Sequence, residues 1–209
     1  MGFLSILSCA HKWVEERVRP GDTVIDATVG NGVDTLFLAR LVGPRGTVYG
    51  FDIQPQALEA AQRRLRRDLP QPEAVKLLLQ SHAGMASAVP DSCRGYTAAV
   101  MFNLGYLPGA DPKVITVPES TLPALEAALQ LLRENGIVTI ALYPGHEGGS
   151  TEASAVEAWA ASLPQERYRV LSYRFLNHAA HSPFLLGIEK KKSRGVHHEA
   201  ISSSLSTSL

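Results

Sequence analysis

Cysteine is nearly absent from this chain. Cys9 and Cys93 are the two it has, far apart and in no Cys-x-x-Cys pair. That excludes a disulfide-stapled scaffold and fits a reducing compartment. An excess of charge is missing too: 20 Lys and Arg balance 20 Asp and Glu. A protein that coats nucleic acid non-specifically is usually strongly basic, so that role is disfavoured. Long apolar runs are absent as well. The opening "GFLSILS" is too short to span a membrane and has no basic region before it. The expectation is a cytoplasmic protein with no membrane contact. The seven histidines are scattered or lie in the tail, and no metal is expected. No Gly-x-Ser-x-Gly elbow offers a serine nucleophile, and no internal repeat is found.

What is present is enough for one domain with a full core. The 209 residues are 45% hydrophobic and 19% charged. An amphipathic helix is predicted over 3–18, stopped by Pro20-Gly21. Strand-like apolar runs then alternate with helical ones. Strands are expected at 22–27, 47–53, 74–80, 97–105 and 136–143, and helices at 32–42, 55–69, 120–135 and 152–163. Two strands follow with no helix between them, at 168–176 and 183–190. The pattern is an α/β doubly wound sheet of seven strands, mostly parallel, with the last one antiparallel. Residues 1–192 form the expected domain. The polar, serine-rich segment 193–209 has the composition of a disordered tail.

Ligands of such sheets bind at the carboxyl ends of the strands. The loop after the first strand reads "DATVGNGVDT", with Asp26, Gly30, Asn31, Gly32, Asp34 and Thr35. Its glycines allow close approach, and the helix behind it offers free N–H groups. The dinucleotide pattern Gly-x-Gly-x-x-Gly fails, because Thr35 holds the place of the third glycine. No Gly-Lys-Ser/Thr follows, so a P-loop is excluded. Asp52 lies twenty residues beyond Gly32, at the end of the second strand, where a carboxylate can accept both hydroxyls of a ribose. A ribose acceptor with polar groups in place of a pyrophosphate cradle suits S-adenosylmethionine. Asp26 or Asp34 could hold its ammonium, and Thr35 with the helix N-terminus its carboxylate. Ser81 and His82, after the third strand, could contact the base, or Ser81 could only cap the next helix.

"FNLGYLPGADPK" (102–113) leaves the most apolar strand. Asn103 emerges there beside the point where a transferable methyl would lie. Its carbonyl could accept an amine's N–H and aim the lone pair forward, while Tyr106 could stack on a flat base. His146, in "YPGHEGG", could accept a proton or meet phosphate. The basic runs "RRLRR" (63–67) and "KKK" (190–192) could meet phosphates or merely be solvated.

With "FDIQ" and the closing "PFLLGIEKK", these motifs resemble the bacterial MnmM (YtqB-like) family over about residues 3–192. That resemblance implies a Rossmann-like class I methyltransferase that uses S-adenosyl-L-methionine. It implies methylation of the 5-aminomethyl group of the tRNA wobble (2-thio)uridine, contact with the anticodon region, and a homodimer. It places Asn31, Asp34, Thr35, Asp52, Gln54, Ser81 and His82 at the cofactor, and Asn103, Tyr106, Tyr143 and His146 at the substrate. "NHAAHS" (177–182) departs from the family's pattern. Three readings stand beside this one: a methyltransferase of a small-molecule amine, a nicotinamide-dependent oxidoreductase using Asp52, and a non-catalytic binding module.

Overall fold

A computed structural model describes residues 2–107, 109 and 114–193. The serine-rich segment from 194 onward and part of the 102–113 motif lie outside the described residues. Seven strands form one sheet: β1 (Thr23–Asp26), β2 (Thr47–Asp52), β3 (Val75–Leu79), β4 (Thr97–Asn103), β5 (Leu132–Leu142), β6 (Tyr168–Tyr173) and β7 (Phe184–Lys190). Their order is β3-β2-β1-β4-β5-β7-β6, and β7 runs antiparallel to both neighbours.

Side-chain alternation explains the layers. On β4, Ala99 and Met101 enter one core, while Val100 and Phe102 enter the other. A strand covered on both faces reads as a continuous apolar run, as "TAAVMF" does. Helices α1 (Ile6–Glu15), α2 (Val33–Val42) and α3 (Pro55–Asp68) cover one face. On the other lie α4 (Met85–Ala88), α5 (Pro118–Leu131) and α6 (Gly149–Ala161). The chain steps outward from β1 to β3, then returns to place β4 on the far side of β1. Loops after β1 and β4 therefore diverge, and a cleft opens between them.

Several boundaries differ from the sequence expectation. α1 begins at Ile6, because the Ser5 hydroxyl accepts the Ser8 N–H and caps it. Leu4 is half-exposed, and Cys9 and Ala10 hold the buried face with Val14. α5 ends four residues early. Leu132 already pairs with Thr97, a bulge with Asn135 at φ 57° follows, and regular pairing resumes at Ile137. Lys190, in a basic run, belongs to β7, and its Nζ donates to the carbonyls of Leu129 and Leu132 at the end of α5. Its neighbour Lys191 donates to the Gln165 carbonyl. Part of "KKK" is thus structural.

The two loop glycines do different work. Gly30 (φ 50°) sits under the cleft. Gly32 (φ 73°) does not face it: a Cβ there would lie 2.7 Å from Ala61 of α3. It permits contact between loop and helix, not between loop and ligand. A third close approach comes from the strand side. A Cβ on Gly50 of β2 would lie 2.7 Å from Val29 and 2.9 Å from Leu77, with the Thr35 methyl at an ordinary contact of 3.9 Å, so Gly50 is what lets Val29 of the loop pack down on β2.

Gly32→Ala is therefore expected to cost about 2–4 kcal/mol, adding overpacking to left-handed strain. Gly95→Ala, at a similar φ of 72° with nothing near it, should cost only about 1–2 kcal/mol. Denaturant unfolding of the two variants checks this, and equal losses would contradict it.

Candidate functional site

The cleft at the carboxyl ends of β1, β2 and β4 encloses about 450 Å³. Gly30, Asn31 and Asp34 line it from the first loop, Asp52 and Gln54 from the second, and Gln80, Ser81 and His82 from the third. Asn103, Gly105 and Tyr106 come from the loop after β4, and Tyr143 and His146 from the loop after β5. Leu7 of α1 also reaches it. Asp26, Gly32 and Thr35 do not line it.

Asp52 stands at the centre of the first wall. Its Oδ2 accepts the Gly30 N–H at 2.9 Å and its Oδ1 the Gln54 N–H at 2.9 Å. Each carboxylate oxygen keeps a second lone pair. The carboxylate is thus aimed by two backbone amides before any ligand arrives. Arg64, from the "RRLRR" run, donates through Nε to the Asn31 carbonyl at 2.8 Å and braces the same loop.

Asp26 lies beneath the loop, 1% exposed. Its oxygens accept the Thr28 N–H and the Thr35 hydroxyl, at 3.1 and 2.6 Å. The expected contact of Thr35 with a ligand carboxylate is replaced by this bond, because the Thr35 side chain is fully buried and its proton is committed. Asp26 in turn has no surface from which to meet a ligand ammonium. Burial first, then the nearby Asp34 charge, push its carboxyl up to about 7. Asp34 does line the cleft, and His11 of α1 holds it through Nε2 to Oδ1 at 2.7 Å.

His82 is 8% exposed, and burial pulls its pKa below the usual value. Its Nδ1 lies 3.1 Å from the Ala27 carbonyl, which can only accept, so that nitrogen carries the proton. Nε2 is left buried without a protein partner. An orphaned acceptor beside a cleft is a place for a ligand N–H. The Ser81 hydroxyl accepts the Ala83 N–H at 3.3 Å while also lining the cleft, so capping and contact are compatible.

The opposite wall holds the β4 motif. Asn103 donates its backbone N–H to Thr28 Oγ1 at 2.7 Å, which leaves its side chain to the cleft. The Tyr106 ring meets His146 edge-on at 5.6 Å. His146 Nδ1 lies 2.8 Å from the Glu147 carbonyl, so in the neutral ring Nε2 is the acceptor. Burial and then Asp34 raise the Tyr143 phenol, which keeps it protonated. Behind the motif, Gly105 and Thr116 exchange two bonds of 2.8 Å. Buried Glu152 accepts the hydroxyls of Thr116 and Thr121, each at 2.7 Å. This carboxylate ties the segment after β4 to α5 and α6.

Sequence reasoning missed His11, Thr28, Thr116 and Glu152. Each acts through a partner on a different element, 23 to 75 residues away, and no local pattern announces such a pair.

The fold and this cleft define the Rossmann-like class I methyltransferase architecture. The chain belongs to the family described as "Putative rRNA methylase", whose sequence profile matches residues 48–189. It is 38% identical over 191 residues to the chloroplastic tRNA (mnm(5)s(2)U34)-methyltransferase of Arabidopsis thaliana, covering 88% of this chain and 69% of that protein. Among solved structures it is similar to a "putative rRNA-methylase" from Clostridium thermocellum, with 39% identity and a TM-score of 0.86 over 91% of this chain and 100% of that one. A "putative methyltransferase" from Streptococcus mutans in complex with SAH is 34% identical, with a TM-score of 0.79 over 90% and 99% of the two chains.

The buried carboxyl gives a pH prediction. An unfolded Asp ionises near pH ~4, while native Asp26 keeps its proton to about 7. The native state therefore binds more protons in that window, and stability falls as pH rises through it. In Asp26→Asn this loss is absent. The stability of the ligand-free variant relative to the unaltered protein should rise between these two values and level off above. Denaturant unfolding at pH 5 and pH 8 measures it; a difference independent of pH would contradict the assignment.

Proposed function

We propose that this chain transfers a methyl group from S-adenosyl-L-methionine to the 5-aminomethyl nitrogen of the wobble uridine in tRNA, with or without a 2-thio group. The product is the 5-methylaminomethyl nucleoside. The observation that carries this reading is that Asp52, aimed by two backbone amides, and Asn103 open onto one cleft from opposite walls. The resemblance to the Arabidopsis tRNA methyltransferase over 88% of the chain supplies the substrate class.

Bound S-adenosylmethionine supplies a methyl on a cationic sulfur, which keeps the C–S electron pair as the N–C bond forms. The chain's residues do the rest. Asp52 accepts the ribose hydroxyls through its free lone pairs. Asp34 takes the ammonium, while Gly30, Asn31 and Gln54 line the same end. His82 Nε2 accepts an N–H of the adenine beside Ser81. Asp26, Gly32 and Thr35 hold the loop in shape from beneath.

On the other wall, the Asn103 carbonyl accepts an N–H of the neutral amine and turns its lone pair toward the methyl. Tyr106 offers its half-exposed ring to the uridine base, and Tyr143 a phenolic proton. The amine must shed a proton after attack, and His146 Nε2 is the acceptor on that wall. The anticodon region of tRNA is the proposed partner, the acting species a homodimer, and its place the cytoplasm. No helix among the described residues is long and apolar enough to cross a membrane.

The test is incubation of purified protein with S-adenosylmethionine and tRNA bearing 5-aminomethyluridine, followed by nucleoside mass analysis. A gain of one methyl on that nucleoside, absent from tRNA without the aminomethyl group, is expected. Transfer only to small amines, or none, would refute the reading. Asn103→Ala should lower turnover roughly a hundredfold while cofactor affinity stays near its original value, because Asn103 acts on the acceptor at the transition state. Full turnover would make Asn103 merely the end of a strand.

A further inference from the structure

α1 is not part of the alternating β/α pattern, yet it reaches the cleft. Leu7 lines the cavity, and one turn later His11 meets α2. The imidazole lies flat on Phe37, with centroids 3.9 Å apart and planes within 5°. Its Nε2 lies 2.7 Å from Asp34 Oδ1. Phe37 stands three residues after Asp34, one turn along α2, so one short stretch both stacks the ring and receives its hydrogen bond. A His ring fixed by stacking presents Nε2–H in a single direction.

The consequence falls on Asp34. It sits in the first turn of α2 and lines the cleft. Asp26, hydrogen-bonded to the adjacent Thr35, brings a second carboxyl near it, and Tyr143 stands close by. An Asp side chain left to itself there would rotate to relieve the repulsion or cap its own helix. His11 removes that freedom by holding one oxygen. Among the described residues the other oxygen takes no hydrogen bond, and it remains available to a cation in the cleft.

We infer that His11 is a positioning residue that fixes Asp34 toward the ammonium of the cofactor's amino-acid end. The inference rests on the S-adenosylmethionine reading given above. The whole of α1 then serves as a clamp over that end of the cleft, with Leu7 as apolar cover and His11 as the latch. The adenosine end, held by Asp52 and His82, is independent of it.

Two ligands separate the ends. S-adenosylhomocysteine carries the amino-acid group, and 5′-methylthioadenosine lacks it. Calorimetry on the full chain should show His11→Phe, which keeps the stacking and loses the donor, weakening S-adenosylhomocysteine roughly tenfold. Binding of 5′-methylthioadenosine should be unchanged. His11→Gln, whose amide can occupy the Nε2 position, should recover most of the loss. In the background of Asp34→Asn, His11→Phe should add little, because the two act as one unit. Equal losses for both ligands, or none for either, would overturn the role of His11 while leaving the cofactor reading intact. If the unaltered protein binds neither ligand, the cofactor reading falls and this inference with it.

Discussion

The carboxylate of Asp52 holds two turns at once. One oxygen takes the N–H of Gly30 from the loop after β1, and the other takes the N–H of Gln54 at the start of α3. A loop with glycines in left-handed conformation is entropically costly to order. This pair of charge-assisted bonds offsets part of that cost and fixes the loop's distance from β2. The remainder of the first wall depends on it. Gly32 then packs on Ala61, Thr35 sits opposite Gly50, and Asp34 points into the cleft. A residue that shapes the apo loop is also the one best placed to receive a diol.

Charge is the second constraint. Asp34 and Asp52 line the cleft and Asp26 lies beneath its first loop, close enough to feel both, in a chain with no net charge. Such a cluster favours a cationic ligand, and it adds to burial, the larger cause, in keeping the proton on Asp26 under the loop. Some of the basic residues serve the fold. Arg64 braces the glycine loop, Lys190 caps α5, and Arg133 makes a two-pronged pair with Asp22 near the amino end of β1.

Much of the fold was legible because both periods are strong. "TAAVMFN" and "GIVTIAL" can only be strands buried on two faces, and "PQALEAAQRRLRRD" has Pro at its start and a narrow apolar stripe. The ends of α5 and β5 were not legible, since "LLREN" carries good helix formers and the bulge there is imposed by pairing with β4. In the cleft, residues that line it from the ends of strands were readable: Asp52 and Asn103 close β2 and β4, and His82 follows β3. Residues that act through another residue were not. Thr35 looked like a ligand group and proved to be the support of Asp26. His11 looked like one scattered histidine, and only the packing of α1 on α2 gives it a partner.

The claim on which the account turns is that Asp52 is the ribose acceptor as well as the brace of the loop. Calorimetric titration of S-adenosylhomocysteine into the unaltered protein and Asp52→Ala tests it, with thermal unfolding confirming that the variant is folded. Loss of the diol acceptor should weaken binding by roughly 2–4 kcal/mol, about thirty- to several-hundredfold. A folded Asp52→Ala protein that binds S-adenosylhomocysteine as tightly as the unaltered chain would contradict it.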